Sequence, residues 1–469
     1  LQYYLALSRK HIEEESRPRG GVTDAAAVSE FIASLPFSLT HDQLHVIDEI
    51  SEDLRRPHPM NRLLQGDVGS GKTVVAMVSS LLAAGRGRQT ALMAPTEVLS
   101  EQHYLNFSAM LPDTVTVTLL TGSMSKKEKT GIYRDIKDGS TDIVIGTHAL
   151  IQGEVEFRDL GLIIIDEQHR FGVEQRAALR SKGENPDLLV MTATPIPRSL
   201  SLTLYGDMDS SYIREKPALR VPVNTIALPE SRLSGVYKSL RKYVSLGQQA
   251  YVVLPLIEES EKIDLKSAVN TFDELRREFP EFRIDILHGR MPSAEKEAIM
   301  HRFKNHESDI LVSTTVIEVG VDVPNATVMV IMHAERFGLS QLHQLRGRVG
   351  RGTLQSHCAL VHPDDIGNDS KRRINTIVST NDGFEIAEED LRLRGAGEII
   401  GTRQHGYSEL EFADLARDID LIIGAREEAK KAAGSLADAG EALQKIRHGA
   451  VHNSILEGIR HRRILSILS

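Results

Sequence analysis

The sequence predicts an α/β protein of two tandem domains, each with a mostly parallel sheet that helices cover on both faces. Three observations support this fold class. The chain has 469 residues, which is too many for one hydrophobic core. Short apolar runs alternate with longer amphipathic segments, as in parallel sheets with helical crossovers. This alternation stops at a connector with two prolines, residues 215–222, and then begins again.

Each element follows from this pattern. Strands of the first domain are predicted at residues 62–65, 91–94, 115–120, 143–145, 162–165 and 188–191. Strands of the second domain are predicted at residues 250–254, 284–287, 310–313, 327–331 and 359–361. Helices are predicted at residues 1–15 and 24–34. The chain after about residue 371 is also predicted to be helical, around a Gly-rich segment at residues 395–406.

Composition narrows the class of protein. Hydrophobic residues make up 41% and charged residues 26%, as in ordinary globular proteins. No apolar run is long enough to span a membrane and no signal-peptide pattern opens the chain, so we expect a cytoplasmic protein without membrane contact. The single cysteine, Cys358, excludes an intrachain disulfide and is expected to be a core residue. The net charge of −9 argues against a uniformly basic surface but allows a locally basic groove for nucleic acid.

A phosphate-binding loop is predicted in the first domain. Gly66, Gly69, Gly71, Lys72 and Thr73 lie in a segment that matches the P-loop pattern, between an apolar run and a helical pattern. Glycines let backbone N–H groups curl around phosphate oxygens, and the helix N-terminus adds positive potential. We therefore expect ATP as the ligand, with Lys72 at the β- and γ-phosphates and Thr73 holding Mg²⁺.

Two adjacent carboxylates complete this half of the site. Asp166 and Glu167 follow a buried apolar run at residues 160–165. Asp166 is expected to contact Mg²⁺, and Glu167 to orient and activate the attacking water. An acidic pair at a strand end can also cap a helix. The P-loop upstream favours the catalytic interpretation.

A third element lies in the second domain. Arg346, Arg348 and Arg351 stand among glycines at residues 341–352. Guanidinium groups stabilise the charge that spreads over phosphoryl oxygens in a transition state. A basic surface loop is the alternative. Because the second domain has no P-loop of its own, we expect arginines of this segment to act on ATP in a cleft between the domains.

The ordered series of motifs resembles helicase superfamily 2 and covers about residues 37–352. The resemblance implies two RecA-like P-loop lobes that hydrolyse ATP and move along nucleic acid. For the nucleotide site it implies that Phe37 and Gln43 read adenine. It also implies that Gly320 and Asp322 contact the nucleotide, and that Gln344 acts beside Arg348 in catalysis.

The same resemblance implies a set of residues that contact the nucleic-acid strand or couple it to ATP. Aromatic residues make up only 5% of the chain and tryptophan is absent, so backbone contacts are favoured over base stacking. The implied residues are Thr96, Thr121, Thr147, His169, Thr192, Thr194 and Thr315.

Within that superfamily the closer resemblance is to the RecG family. Residues 166–173 and 191–198 resemble both RecG and the Mfd-type transcription-repair coupling translocases. Residues 202–207 and Gln168 resemble RecG more closely. Residues 390–406 resemble the translocation motif of both families, which implies that the loop turns lobe closure into movement on duplex DNA. The residues implied there are Arg394, Thr402, Arg403 and Gln404.

The resemblance also implies a domain plan and partners. The domains would be a helical linker (1–36), lobe 1 (37–214), lobe 2 (215–375) and a helical C-terminal region (376–469). Because no strand-rich segment precedes Pro36 and the first residue is Leu1, we expect the N-terminal wedge domain of the family to be missing from this chain. The implied partners are branched and duplex DNA and single-stranded DNA-binding protein, for a monomer near the bacterial nucleoid.

Three alternatives remain open. An Mfd-like translocase would need a polymerase-binding module, which we do not find in the sequence. An RNA helicase fits less well with residues 166–169, Asp-Glu-Gln-His, and with the C-terminal translocation motif. A non-catalytic ATP-binding scaffold fits poorly because Lys72 and both carboxylates are present. The 18 histidines are scattered, so no zinc site is expected.

Overall fold

The structure is a computed structural model, and the chain divides into two compact units. Unit 1 contains Leu1–Lys216 and Arg394–Ser469, and unit 2 contains Pro217–Leu393. None of the described helices has the length and apolar character needed to cross a membrane. The residues that the structure describes are 6–7, 10, 25–167, 173–197, 208–217, 221–255, 261–314, 323–352, 354–394 and 419–434.

Unit 1 is built on a parallel sheet. Seven described strands lie in the order β3-β4-β2-β5-β6-β1-β7, and every pairing is parallel. The strands are β1 (Asn61–Gly66), β2 (Gln89–Met93), β3 (Val117–Leu120), β4 (Ile143–Gly146), β5 (Leu160–Asp166), β6 (Asp187–Thr192) and β7 (Asp209–Ile213). The helices before and between them are α1 (Ala25–Ser34), α2 (His41–Arg55), α3 (Lys72–Ala84), α4 (Glu97–Met110), α5 (Lys126–Asp138) and α6 (Val173–Arg180).

Side chains alternate across this sheet and fill a core on each face. Leu64 of β1 and Ile164 of β5 belong to the cluster that also contains Val75 of α3. Their neighbours Leu63 and Ile163 belong to the cluster on the opposite face. Successive residues of a strand point to opposite faces, so a strand that is buried on both sides must be apolar throughout. This explains why the run in β5 is continuous.

Two helices of unit 1 begin at reciprocal capping pairs. The Thr40 hydroxyl accepts the Gln43 N–H and the Gln43 side chain accepts the Thr40 N–H, which starts α2. Ser125 and Glu128 form the same reciprocal pair at the start of α5. Such capping boxes satisfy two N–H groups that the helix leaves open.

Unit 2 contains a second parallel sheet, of six described strands in the order β10-β11-β9-β12-β13-β8. The strands are β8 (Asn224–Pro229), β9 (Gln249–Val253), β10 (Ile284–Leu287), β11 (Ile310–Ser313), β12 (Ala326–Ile331) and β13 (His357–His362). The helices are α7 (Leu233–Ser245), α8 (Glu261–Glu278), α9 (Ser293–Lys304), α10 (Leu339–Arg346), α11 (Asn368–Ser379) and α12 (Gly383–Arg394). One further described helix, α13 (Ile419–Gly434), belongs to unit 1.

The two units repeat one fold. The order β3-β4-β2-β5-β6-β1 corresponds strand by strand to the order in unit 2. Gln89 and Gln249 begin the equivalent strands β2 and β9, are buried, and each donate to two backbone carbonyls. The strand register shifts directly after each glutamine. Glu167 and His333 occupy equivalent positions past β5 and β12, and both have left-handed backbone, with φ of 54° and 51°.

The sole cysteine lies in the core of unit 2. Cys358, in β13, is 1% exposed. Burial raises the pKa of its thiol to about 12, because the thiolate would lose its hydration there, although the nearby Arg346 acts in the opposite direction. The expectation of a core residue is confirmed.

The predicted fold class is confirmed, and all of the predicted strands are found with ends within two residues of the predicted ones. The sequence missed β7 and β8. Both are edge strands that pair on one side only, and they bury fewer apolar side chains than central strands. Ile226 of β8, for example, is 51% exposed. The helix at 24–34 is confirmed, and most of the one predicted at residues 1–15 lies outside the described residues. The domain boundaries given above stay predictions.

Candidate functional site

The predicted residues of unit 1 lie along one edge of its sheet. Because all of its strands are parallel, their carboxyl ends meet at this edge. In sheet order the residues there are Thr121 after β3, Thr147 after β4, Thr96 after β2, Asp166 in β5, Thr192 in β6 and Gly66 in β1. Three of the threonines predicted to contact a nucleic-acid strand or couple it to ATP, Thr96, Thr121 and Thr147, therefore occupy the β3-β4-β2 half, whereas Thr192 lies between Asp166 and the phosphate-binding loop. The phosphate-binding loop lies at the other end, and Asp166 lies between.

The loop between β1 and α3 has the backbone that phosphate binding needs. Gly69 and Gly71 have φ of 72° and 86°, in the left-handed region that favours glycine. A Cβ on Gly71 would lie 2.1 Å from Nε2 of Gln43. A Cβ on Gly66 would lie 2.5 Å from the Ser70 hydroxyl. The close turns of this loop therefore depend on its glycines.

Lys72 opens α3 and its side chain returns into the loop. Its ammonium group is buried and donates to the carbonyl oxygens of Gly66, at 2.7 Å, and Asp67, at 3.0 Å. Thr73 follows it in the first helical turn and is half-buried. The positive end of α3 and the Lys72 ammonium thus lie at the same loop, which is an arrangement suited to an anion such as a nucleotide phosphate.

Asp166 ends β5 as a buried carboxylate. Its Oδ2 lies 2.9 Å from Nε2 of His103, and its Oδ1 accepts the Glu167 N–H at 3.1 Å. Burial acts to raise the pKa of Asp166. The hydrogen bond and charge of His103, the charge of Lys72 and the Glu167 N–H outweigh burial and hold this pKa below its ordinary value. A buried carboxylate kept ionised is a suitable ligand for a hard cation such as Mg²⁺, so Asp166 and Thr73 fit the predicted metal.

Glu167 adopts a backbone conformation that a side chain seldom takes. Its φ of 54° lies in the left-handed region, and the residue is half-buried. Such a conformation costs on the order of 1 kcal/mol and persists where the surroundings impose it, often at functional sites. The bend turns the chain sharply after β5.

Gln43 is bound to the phosphate-binding loop as well as to its own helix. Its Nε2 donates to the Ser70 carbonyl at 2.8 Å, and its Oε1 accepts the Thr40 N–H at 2.8 Å. The side chain is buried, whereas Phe37 is 40% exposed. Adenine reading by Phe37 and Gln43 stays a prediction. The contact to Ser70 adds a role that the sequence did not indicate.

The chain that leaves unit 1 is tied to the same loop. Lys216 pairs with Asp67 of the P-loop at 2.8 Å. The Asp42 carboxylate, in the first turn of α2, accepts the N–H groups of Arg214 and Glu215 at 2.8 and 2.9 Å. The Glu215 carboxylate accepts the Asp42 N–H in return, at 3.3 Å. The sequence treated residues 215–222 as a connector only, and these contacts show that its first part is anchored.

The predicted strand-contacting threonines differ in what their hydroxyls do. Thr96 caps α4 by accepting the Leu99 N–H, and the Thr121 hydroxyl lies 3.1 Å from that of Ser123. The hydroxyls of Thr192 and Thr194 lie 3.0 Å apart. The Thr147 hydroxyl is buried, and no described residue gives it a hydrogen-bond partner. Because this hydroxyl is buried, the backbone N–H of Thr147 is the group expected to contact a phosphate. Nucleic-acid contacts at all of these threonines stay predictions.

The arginines of residues 341–352 have different surroundings in unit 2. Arg346 is buried and donates to the carbonyl oxygens of Ile377, at 2.6 Å, and Thr380, at 2.8 Å, as well as to Nδ1 of His343. Arg348 and Gln344 are half-buried, as is Arg351, whose Nε donates to the Gly347 carbonyl. Arg346 therefore has a structural role, because it joins α10 to the end of α11. The sequence did not distinguish it from the neighbouring Arg348 and Arg351.

Replacing Arg346 by alanine is expected to destabilise the protein. Two backbone carbonyls and a histidine nitrogen would lose a buried charged donor, at a cost of about 3 kcal/mol. For a domain of this size, the midpoint of thermal unfolding should fall by roughly 6–12 °C. Arg372→Ala is the matched control, because Arg372 is exposed and pairs with Glu389 at the surface. Equal melting temperatures for the two variants would show that the Arg346 contacts contribute nothing.

Several predicted residues lie where the structure makes no statement. Arg394 ends α12, but its side chain lies outside the described residues. The others outside the described ranges are His169, Thr315, Gly320, Asp322, Thr402, Arg403 and Gln404.

Comparisons with known proteins agree with this site. Three family models match: "DEAD/DEAH box helicase" at residues 40–202, "Helicase conserved C-terminal domain" at 235–353, and "ATP-dependent DNA helicase RecG, domain 3, C-terminal" at 380–451. The first two cover the phosphate-binding loop with both carboxylates and the arginine segment. The third covers the segment that resembles the translocation motif.

Similar proteins extend over most of the chain. The "ATP-dependent DNA helicase RecG" of Aquifex aeolicus is 52% identical over 92% of this chain, and the chain spans 55% of it. A solved structure described as "RecG bound to three-way DNA junction" is 45% identical, with a TM-score of 0.76, over 90% of this chain and 56% of that one. Dbp5 of S. cerevisiae, at 15% identity and a TM-score of 0.55 over 79% of this chain and 96% of its own, shares the fold.

The chain spans little more than half the length of these RecG relatives. Across that span, the motifs, the two parallel sheets and the RecG-specific C-terminal match all agree. This chain belongs to the RecG family of helicases.

Proposed function

We propose that the chain is the ATP-hydrolysing motor of a DNA helicase that moves on duplex DNA. Its task would be to remodel branched DNA, such as stalled forks and Holliday junctions, in recombination and repair. The observation that carries this proposal is the 45% identity to a RecG whose solved structure holds a three-way DNA junction. The relatives' shared name, ATP-dependent DNA helicase, supports ATP as the fuel.

The residues of unit 1 would divide the work between binding and chemistry. Lys72 would hold the β- and γ-phosphates, and Thr73 and Asp166 would hold Mg²⁺. When bound, this ion supplies positive charge to the phosphoryl oxygens. Glu167 would orient the attacking water. The left-handed backbone of Glu167 supports a functional role for this residue, since such conformations are found often at functional sites.

Unit 2 would supply the groups that complete hydrolysis. Arg348 and Arg351 would stabilise charge on the transferred phosphoryl group, and Gln344 would position them or the water. Thr96, Thr121 and their neighbours on the same sheet edge would hold the DNA backbone without reading sequence. Movement would follow from ATP-dependent closure of the two units, transmitted through the segment at residues 390–406. Single-stranded DNA-binding protein is a proposed partner of a monomeric motor in the bacterial cytoplasm.

The test is ATP turnover with a series of nucleic acids. A three-way junction and a fork should stimulate turnover more strongly than linear duplex, and far more strongly than single-stranded RNA of equal length. Stimulation should fall as salt rises, because phosphate contacts release counterions. Glu167→Gln is the control and should remove turnover with every substrate. Preferential stimulation by RNA, or no stimulation by any DNA, would overturn the proposal.

A further inference from the structure

His103 lies beside Asp166 at the edge of the unit 1 sheet where the strands end, and it is not among the predicted site residues. It belongs to α4, the helix that follows β2, and β2 is the neighbour of β5 in the sheet. The imidazole is 5% exposed, and its Nε2 lies 2.9 Å from Oδ2 of Asp166. Phe107, one turn further along α4 and fully buried, meets the ring edge to face, with centroids 6.5 Å apart. The ring is therefore fixed by packing as well as by its hydrogen bond.

The hydrogen bond sets the direction of the Asp166 carboxylate. A carboxylate can only accept, so Nε2 of His103 carries the shared proton whether the ring is neutral or charged. The other oxygen, Oδ1, accepts the Glu167 N–H at 3.1 Å. Both oxygens are thus held from different directions, and each keeps a further lone pair for a ligand. Partners of this kind orient metal-binding carboxylates and tune their affinity.

The same helix holds the segments that are predicted to contact a nucleic-acid strand. Thr96 caps its first turn, and the Glu97 carboxylate accepts from both the backbone N–H and the hydroxyl of Ser123. Ser123 in turn lies against Thr121. One helix therefore contacts two predicted strand-contacting segments at its start and the predicted metal ligand in its second turn.

We propose that His103 is a positioning residue, which orients the Asp166 carboxylate toward Mg²⁺. Through α4, it also links this carboxylate to the segments that are predicted to contact a nucleic-acid strand. The inference rests on the proposed function for the identity of the metal and the strand. In this proposal, α4 transmits the binding of a nucleic-acid strand to the nucleotide site. If binding of a nucleic-acid strand shifts α4, His103 moves with the helix, and the hydrogen bond to Asp166 changes without any movement of the sheet.

The test compares His103→Ala with His103→Gln. Glutamine can place an N–H near the position of Nε2, whereas alanine cannot. Binding of a fluorescent ATP analogue is titrated with Mg²⁺, and ATP turnover is measured with and without a three-way junction. For His103→Ala we expect an apparent affinity for Mg²⁺ about tenfold weaker, unchanged nucleotide binding without Mg²⁺, and a smaller ratio of stimulated to basal turnover. His103→Gln should restore most of the Mg²⁺ affinity.

Phe107→Leu is the matched control, because it loosens the same helix and leaves the hydrogen bond to Asp166 in place. It should lower the melting temperature with little effect on the Mg²⁺ titration. The positioning role is overturned if His103→Ala keeps the wild-type Mg²⁺ affinity, or if His103→Gln and Phe107→Leu lose as much of it as His103→Ala. An unchanged stimulation ratio in His103→Ala would overturn the link through α4. Failure of the proposed function is distinguishable, because DNA would then not stimulate the wild-type protein, while the Mg²⁺ titration would still test His103.

Discussion

Replacing Lys72 by alanine is expected to lower the rate of ATP hydrolysis by about 10³-fold, which corresponds to ~4 kcal/mol of transition-state stabilisation. The Lys72 ammonium is buried inside the loop, where it donates to the carbonyls of Gly66 and Asp67. Lys72 is the cationic residue of the loop at residues 66–73, so its replacement removes the loop's positive side-chain charge. Its loss would also remove a charge that helps keep Asp166 ionised. Steady-state turnover at saturating ATP and a three-way junction would measure the effect.

Lys137→Ala provides the matched control for this variant. Lys137 also lies in a helix of unit 1, but its side chain is 68% exposed and pairs with Glu156 at the surface. Its removal should leave turnover and melting temperature unchanged. Because the Lys72 ammonium also donates to two carbonyl oxygens of the loop, the melting temperature of Lys72→Ala is measured too, and turnover is compared well below it, so that lost activity is not lost folding. Turnover above a tenth of the wild-type rate would contradict the assignment of Lys72 to the phosphates.

Replacing Arg348 by alanine is expected to cost 10³-fold or more in turnover, on the order of what an arginine finger contributes. Nucleotide binding should be retained, because the predicted phosphate contacts of Lys72 lie in the other unit. Arg348→Lys should recover little, since an ammonium lacks the planar pair of donors of a guanidinium. Single-turnover hydrolysis with bound nucleotide would separate the chemical step from binding.

The Arg346→Ala variant provides a matched comparison for Arg348→Ala in both melting temperature and turnover. The two arginines are two positions apart, yet Arg346 is 3% exposed and bound to the end of α11, while Arg348 is half-buried. Arg346→Ala should therefore lose more stability than Arg348→Ala, and Arg348→Ala should lose turnover at a melting temperature closer to that of the wild type. If Arg348→Ala instead melts at the lower temperature and keeps its turnover, Arg348 is a structural residue and the predicted arginine role falls to Arg351.

The features that were predicted correctly from the sequence depend on residues that are close together in the chain. The loop from Gly66 to Thr73 is a contiguous pattern, and the run before Asp166 must be apolar because β5 is buried on both faces. Long-range pairs left no such signal. His103 stands 63 residues before its partner Asp166, and the carbonyls that bind Arg346 lie 31 and 34 residues after it. A short-range pattern in the sequence does not show that these atoms meet.

Edge strands were missed for a related reason, whereas the repetition of one α/β fold in two domains was predicted. β7 and β8 lie on either side of the connector at residues 215–222 and were not predicted, because an edge strand has one pairing partner and keeps polar or exposed positions. One detail of this repeat that the sequence analysis did not predict is the pair Gln89 and Gln249, whose buried amides donate to backbone carbonyls at equivalent places in the two units. Both sheets also have the same register shift directly after these glutamines.

The burial of Cys358 has a practical consequence for following this motor. Only a thiolate reacts with maleimide dyes, and a thiol with a pKa of about 12 is ionised to about one part in 10⁵ at neutral pH. Because Cys358 is the single cysteine of these 469 residues, this chain needs no cysteine removed before site-specific labelling. Cysteines introduced at the exposed Ser181 of unit 1 and Ser239 of unit 2 could carry a dye pair, and energy transfer would then report nucleotide-driven motion between the units in real time.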